Sequence, residues 1–220
     1  MNLTSGPWAN NPLPQYATFA ALPAANTVPT GYQANITGLG SNGTILVSNG
    51  TRWLPLNGSA ILKGLAAAVS APGGAAETIA LQFTFPAGLL KQYDRIVVRS
   101  GVSKAGTTTT GTIGFRFGTL GTTGDTQIAT WTILPAASRS VGAISEFRVE
   151  SDTTVRFHGT QAATGTNAGI AAAPIAAGLA AAVTVSGMTA NAMILTMTVT
   201  PGATDATAIE DAEIVWEVAG

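Results

Sequence analysis

Between residues 76 and 219 the sequence alternates apolar and polar side chains again and again, in six separate runs. Side chains of a strand point alternately to its two faces, so a period of two marks a strand with one face on a core. Ile79, Leu81, Phe83 and Phe85 share one face against Thr78, Ala80, Gln82 and Thr84. Ile113, Phe115 and Phe117 share another, as do Met193, Leu195, Met197 and Val199. Ser145, Phe147 and Val149 alternate with Glu146, Arg148 and Glu150. Val155 and Phe157 then alternate with Arg156 and His158, across a tight Ser151-Asp152 turn. Ala212, Ile214, Trp216 and Val218 stand opposite Asp211, Glu213 and Glu217. Ile96-Val97-Val98 reads as a fully buried run, and Gln127–Leu134 as a strand around Trp131. Eight strands separated by Gly-, Thr- and Pro-rich turns predict an all-β fold. The expected form is an antiparallel β-sandwich of the jelly-roll type over 76–220. Tyr93, Trp131 and Trp216 are expected in its core. No long helical period occurs, which excludes a parallel α/β fold.

Upstream the pattern changes. Residues 1–30 hold Pro7, Pro12, Pro14, Pro23 and Pro29, which block continuous ladders and helices. They predict an extended anchoring arm with one helical turn around 15–21. Trp8, Tyr16 and Phe19 lie on that arm and need a surface to dock on, in this chain or in a partner. Residues 31–57 predict a β-meander of three runs, 32–37, 44–48 and 51–56, with Trp53 covering one face. Asn42-Gly43 and Asn49-Gly50 separate the runs, and Asn-Gly favours a type I′ hairpin turn with both central residues at positive φ. Three such strands are marginal alone. Residues 58–75 are rich in Gly and Ala, end in Pro72-Gly73-Gly74, and are expected to be a linker.

Charge is scarce: 10% of residues are charged, with a formal net charge of −1. An ordinary soluble domain carries about 25%. Ten cations against eleven anions leave no basic footprint for nucleic acid. A surface so poor in charge is expected to contact other subunits, since charge is depleted at interface cores. The segment Ile170–Val183 sharpens this: it is 14 residues of Ala, Gly, Pro and aliphatic side chains. That is short of the roughly 20 a membrane span needs. Residues 162–183, rich in Ala, Gly and Thr, predict a long excursion between the sixth and seventh strands with a short strand near 182–186, and its apolar part, Ile170–Val183, is expected to be covered by a neighbouring subunit. Ile170, Ile175 and Leu179 are its candidate interface residues. Trp8, Tyr16, Phe19 and Trp53 are the candidate anchoring residues. The first ten residues show no basic-then-apolar leader pattern, so any exit from a cell is expected to occur by another route, such as lysis.

Catalytic and ligand motifs are weak. Gly38-Leu39-Gly40-Ser41-Asn42-Gly43 fits G-x-G-x-x-G, but a strand follows it rather than a helix, so no helix N-terminus is at hand for a pyrophosphate. There is no cysteine, and His158 is the only histidine, so no thiolate or multi-histidine metal site can form. Asp205 offers at most a loop Ca²⁺ ligand without EF-hand spacing. Glu146, Glu150, Asp152, Asp205, Glu210, Asp211, Glu213 and Glu217 are abundant enough for a glycosidase pair, but a solvated or interface-lining face explains them. Charges around the hairpin holding Arg148, Glu150, Asp152 and Arg156 are expected to pair across strands. Asn2, Asn35, Asn42, Asn49 and Asn57 open N-x-[ST] sequons, three of which are the Asn-Gly turns themselves or their like. No cofactor, metal or catalytic residue is expected, and no enzymatic activity.

Two phrases are familiar as a set. Leu22-Pro23-Ala24-Ala25-Asn26-Thr27-Val28-Pro29 is followed by Thr44–Gly58, which closes on Asn49-Gly50-Thr51-Arg52-Trp53-Leu54-Pro55. This resembles the N-terminal module of tailed-bacteriophage appendage proteins, with a Pro-punctuated lead and a hairpin ending in a "G-T-x-W-x-P" phrase. Glu77-Thr78-Ile79-Ala80-Leu81, Phe85-Pro86-Ala87-Gly88-Leu89-Leu90 and Asp94–Lys104 resemble the start of a jelly-roll domain found in such virion proteins. The resemblance covers roughly residues 20–118. It implies a structural virion protein anchored to the particle through residues 1–57, with the sandwich projecting as a homotrimer. Tail fibre, baseplate, neck and head-fibre proteins share these phrases. The expected partners are other copies of the chain and other virion proteins, with no nucleic acid and no membrane insertion. The alternative is a receptor-binding module, in which the sandwich recognises a glycan of the host surface during adsorption.

Overall fold

The computed structural model describes residues 12–40, 42–106, 108–133, 139–162, 170–171, 182–185, 187–188 and 190–218; for 139–141, 160–162 and 170–171 this covers the backbone. The chain divides into two compact units, Met1–Asn57 and Gly58–Gly220.

The first unit is a four-stranded sheet. Its strands are β1 (Gln15–Tyr16), β2 (Gln33–Ile36), β3 (Thr44–Ser48) and β4 (Trp53–Pro55), in that order, with β1 parallel to β2 and the rest antiparallel. Alternation explains the burial: Ala34, Ile36, Leu46 and Trp53 are buried, while Ile45 between them faces out. Short 3₁₀ turns at Phe19–Ala21 and Ala25–Thr27 carry the chain from β1 to β2. The described part of the arm therefore docks on its own meander. Asn35 N donates to Pro14 O at 2.9 Å and Gly38 N to Ala17 O at 3.1 Å. The Asn-Gly turns differ from the type I′ expectation. Gly43 and Gly50 have positive φ (77° and 87°), and among the described residues no Asn does. Four residues separate β3 from β4. Asn49 Oδ1 accepts the Thr51 and Arg52 amides at 3.0 and 2.8 Å, so an Asx turn closes the loop.

The second unit is a two-sheet sandwich. Its strands are β5 (Ser59–Gly64), β6 (Val69–Ala71), β7 (Thr78–Phe85), β8 (Arg95–Lys104), β9 (Gly111–Gly118), β10 (Thr126–Ile133), β11 (Arg139–Ser151) and β12 (Thr154–Ala162). They are followed by β13 (Ile170–Ala171), β14 (Val183–Thr184), β15 (Met193–Thr200) and β16 (Thr207–Glu217). One sheet runs β5-β16-β8-β11-β12-β14, with β6 also on β16; the other runs β7-β15-β9-β10-β13. The described pairings of both are antiparallel. Taking β5 and β6 together as the first strand, and β7, β8, β9, β10, β11, β15 and β16 as the next seven, one sheet holds strands one-eight-three-six. The other holds two-seven-four-five. That is the jelly-roll order, produced by two interlocked Greek keys.

All eight expected strands of 76–219 are present, but their roles shift by one. Residues 58–75 are a linker in the sequence reading; the structure instead uses 59–64 and 69–71 as the first jelly-roll strand. Leu65 N donates to Ala212 O at 2.7 Å and Val218 N to Gly58 O at 3.0 Å, extending that pairing. The segment escapes a periodicity argument because only Leu62 and Ala71 of it are buried, and most of its other residues are too small to show a pattern. β12, counted among the eight, is an addition beside β11. The core lies between the sheets. Phe115 of β9 meets Phe147 of β11 across it at 5.1 Å, and Trp131 and Trp216 are fully buried. Tyr93 departs from expectation: it is 48% exposed.

Candidate functional site

In the first unit two of the candidate anchoring residues, Tyr16 and Trp53, both meet Tyr32. Trp53 is buried, and its Nε1 donates to Pro23 O at 3.0 Å, fastening the arm. The Tyr32 ring stands edge-on to it at 6.0 Å. Ser48 Oγ donates to Ala25 O at 2.9 Å from the same side. Tyr16 and Phe19 are half-buried. A side-chain hydrogen bond with Tyr32 raises the pKa of the Tyr16 phenol above its ordinary value. Trp8, Ile175 and Leu179 lie outside the described residues. Ile170 is placed by its backbone, opposite Ile133 in the β10–β13 pairing. The greater part of the Ala-rich excursion is likewise outside them, and β14 falls in the expected 182–186 strand.

One end of the sandwich is tied by a buried ion pair. Counting inward positions along β8 through Val98, Ser100 and Val102 leads to Lys104. Its ammonium donates to Asp205 Oδ2 at 2.6 Å and to Gly106 O at 2.7 Å, with the two side chains 1% and 5% exposed. The Thr108 and Thr109 amides donate to Oδ2 at 2.8 Å each, and the Thr108 and Thr204 hydroxyls to Oδ1 at 2.7 and 3.1 Å. The Lys104 ammonium, then the Thr109 amide, hold the Asp205 carboxyl well below the usual carboxylate range, outweighing desolvation. Gly106 sits at φ +100°, where a Cβ would fall 2.3 Å from Asp205 Oδ1, so the loop can close only on glycine. Both carboxylate oxygens are engaged, with an ammonium already standing where a cation would sit. Asp205 is therefore no Ca²⁺ ligand in this arrangement. Among the described residues, no three His, Cys, Asp or Glu converge as a metal site.

The two sheets present opposite chemistry outward. β7, β9, β10 and β15 together carry one charged residue, Arg116. Its guanidinium is matched by Glu77 at 3.0 and 2.8 Å. Burial by itself would lift the Glu77 pKa, but hydrogen bonds from Arg116 and Thr198 outweigh it and bring the value below ordinary. The rest of that outer face is Gln82, Thr84, Thr112, Gly114, Gly118, Gln127, Thr130, Thr132, Thr196, Thr198 and Thr200, with Ile194, and with Ile79, which a β-bulge at Met197–Thr198 turns outward instead of leaving it on the inward face with Leu81. β8, β11, β12 and β16 carry twelve charged residues. On their outer face Arg95 meets Glu146 at 2.5 Å and Glu217 at 3.4 Å, Arg99 meets Glu213 at 2.7 Å, and Arg156 meets Glu150 at 2.5 Å. The last pair is one of the cross-strand contacts expected around that hairpin. The Glu146 hydrogen bond raises the Arg95 pKa, and the Arg156 hydrogen bond lowers that of Glu150.

At the other end of this charged face lies a turn that no local pattern announces. Asp94 N donates to Lys91 O at 3.1 Å, closing a β-turn with Tyr93 in third place at φ +75°. Glycine is the usual resident of such a position. Tyr93 is the one non-glycine residue with positive φ among those described. It is pinned: its amide donates to Val149 O at 2.6 Å, and Val149 N donates to Asp94 O at 2.9 Å. The Asp94 carboxylate accepts the Lys91 amide at 3.0 Å and Trp216 Nε1 at 3.1 Å. The phenol ring is left facing solvent, with the Arg148 guanidinium 4.8 Å from its centroid. Arg148 stands directly opposite Arg95 on one side and Arg156 on the other. Three guanidiniums thus line up across β8, β11 and β12.

His158 is half-buried and is the extra residue of a bulge in β12, without an opposed residue in β11, and its Nε2 has no hydrogen-bond partner among the described residues. Among the described residues, no helix is long and apolar enough to cross a membrane. No protein-family model matches the chain, and no curated protein matches it in sequence.

Proposed function

We propose that the chain is a structural virion protein of a tailed bacteriophage. Its first unit anchors it to the particle, and its jelly roll self-associates into a homotrimer through the uncharged sheet. The observation that carries this reading is the lopsided distribution of charge: one charged residue in the four strands of one sheet against twelve in the four of the other. A face that must stay in water acquires ions; a face that meets another copy sheds them, because each buried ion needs a partner. Closed cyclic symmetry uses such a face without propagating into filaments. In the first unit the exposed Ile45 and Leu56 supply apolar contact for anchoring. The phage assignment itself rests on the Pro-punctuated lead and the Asn49–Pro55 phrase.

The test is the mass of the full chain in solution, together with its detection in purified particles. A trimer is expected, and Thr132→Lys with Thr112→Glu, a cross-strand pair on the uncharged face, is expected to yield folded monomers. A monomeric wild-type chain, or its absence from particles, overturns the reading. A second reading, recognition of a host-surface glycan, is favoured by Tyr93, an aromatic ring exposed at the loop end of the sandwich.

A further inference from the structure

Three facts about the Tyr93 corner stand together. Tyr93 keeps a positive φ that strains a bulky residue, and such strain survives only where the surroundings enforce it. What the strain achieves is to hold an amphipathic ring outside the sandwich, 48% exposed. Arg95, Arg148 and Arg156 occupy directly opposed positions on neighbouring strands, an arrangement that repels. Two of the three are neutralised: Arg95 by Glu146 and Glu217, Arg156 by Glu150. Arg148 is not. Among the described residues it forms no ion pair: its guanidinium stands 4.8 Å from the Tyr93 ring centroid, and Glu150, whose oxygens are committed to Arg156, feels its charge from beyond ion-pair distance. A half-buried guanidinium between two others, with its donors uncommitted, is arranged to accept an anion, and its planar fork suits a carboxylate.

We propose that Tyr93 and Arg148 form the centre of a binding site for a carboxylate-bearing saccharide, a uronic-acid type of glycan. The sugar's C–H face lies against the phenol, and its carboxylate spans the Arg148 guanidinium. Gln92, whose Nε2 donates to Glu150 O at 2.7 Å, lies on the rim with an amide oxygen to accept a sugar hydroxyl. A neutral sugar would fill the stacking position and leave Arg148 unmatched, so the site discriminates by charge. This inference rests on the glycan-recognition reading and supplies its ligand class and residues.

The experiment is a glycan array carrying uronic-acid-containing and neutral bacterial polysaccharides, probed with the full-length chain and with Tyr93→Ala, Arg148→Gln and Arg148→Lys. Melting temperature serves as the control for folding. The wild type is expected to bind acidic members and to lose that binding as salt rises. Tyr93→Ala and Arg148→Gln should each weaken it at least tenfold, and Arg148→Lys should fall between, because it keeps the charge without the fork. Binding of neutral glycans alone, or acidic binding that the variants leave unchanged, overturns the site and leaves glycan recognition standing. No binding to any glycan by the wild type overturns both.

Discussion

Replacing Lys104 with Met tests whether the Lys104–Asp205 pair holds two distant loops together. Methionine conserves most of the side-chain volume and removes the ammonium. Asp205 then keeps its hydrogen bonds from Thr108, Thr109 and Thr204 but loses its counter-charge in a site where both partners are 5% exposed or less. Breaking one side of a buried pair costs about 3–5 kcal/mol. For a unit of this size each kcal/mol moves the midpoint by about 2–4 °C, so a fall of about 10 °C is expected. The pH dependence is a second signature. The folded Asp205 carboxyl titrates below its ordinary 3.8, so its contribution is complete above that value and is lost as pH falls through the folded one. Wild-type stability attributable to this group is therefore flat from pH 7 down to about 4. Without Lys104 the folded value climbs back toward the unfolded one, so the acid loss due to this group shrinks and the deficit of the variant against the wild type narrows below about pH 4. Thermal melts by circular dichroism at about pH 7, 4 and 3 read both effects. A shift below about 2 °C at pH 7, with parallel melts at the lower pH values, would refute the claim that this pair is a structural tie.

Trp53→Phe keeps an aromatic ring but removes the hydrogen bond to Pro23 O. A loss of about 1 kcal/mol is expected, along with faster limited proteolysis in residues 12–30; unchanged cleavage there would mean that the indole N–H does not hold the arm. Tyr93→Gly relieves the positive φ while giving up the contact with Arg148, and glycine is the residue that turn prefers. Urea unfolding is expected to show a change within about 1 kcal/mol, where truncating a core aromatic costs about 3–5. A loss in the latter range would show that the ring is part of the fold rather than displayed by it.

What sequence reasoning found and missed follows from how far apart the deciding residues lie. The strands from β7 to β12, and β15 and β16, are legible because each carries a local signal, a period of two in most and a compact apolar or aromatic-centred run in β8 and β10, and Phe115 or Trp216 needs only its neighbours to declare a face. β5 and β6 are not: Ala60, Gly64 and Ser70 have too little side chain to declare one, and their status comes from hydrogen bonds to β16, more than 130 residues further on. Lys104 falls on the inward count of β8, yet nothing local says how a lysine is tolerated there; the answer is Asp205, 101 residues away. Tyr93 is the extreme case. Its φ is set by a turn anchored on Asp94, whose carboxylate also holds Trp216, 122 residues away in the chain. A local reading can place an aromatic near a core. It cannot see that the turn beneath the aromatic faces it the other way.

The outward faces of the two sheets are a different matter, because the fold does not determine them. Both sheets close over one core through the same kind of inward side chains, Phe115 and Met197 on one, Phe147 and Ile214 on the other. Either outer face would serve a lone sandwich equally well with lysine and glutamate or with threonine. The difference between them is therefore free to report on what each face meets. Threonine and glycine on β7, β9, β10 and β15 let backbones approach closely without desolvating ions. On the other sheet, Arg–Glu pairs at half-exposed positions contribute about 0–1 kcal/mol each, too little to explain their number as stability. They suit a face that stays wet, and among its described arginines Arg148 is the one without an ion pair. A copy of the chain on one side and an anionic ligand on the other would occupy the two faces without competing, which is the arrangement a particle-bound recognition module requires.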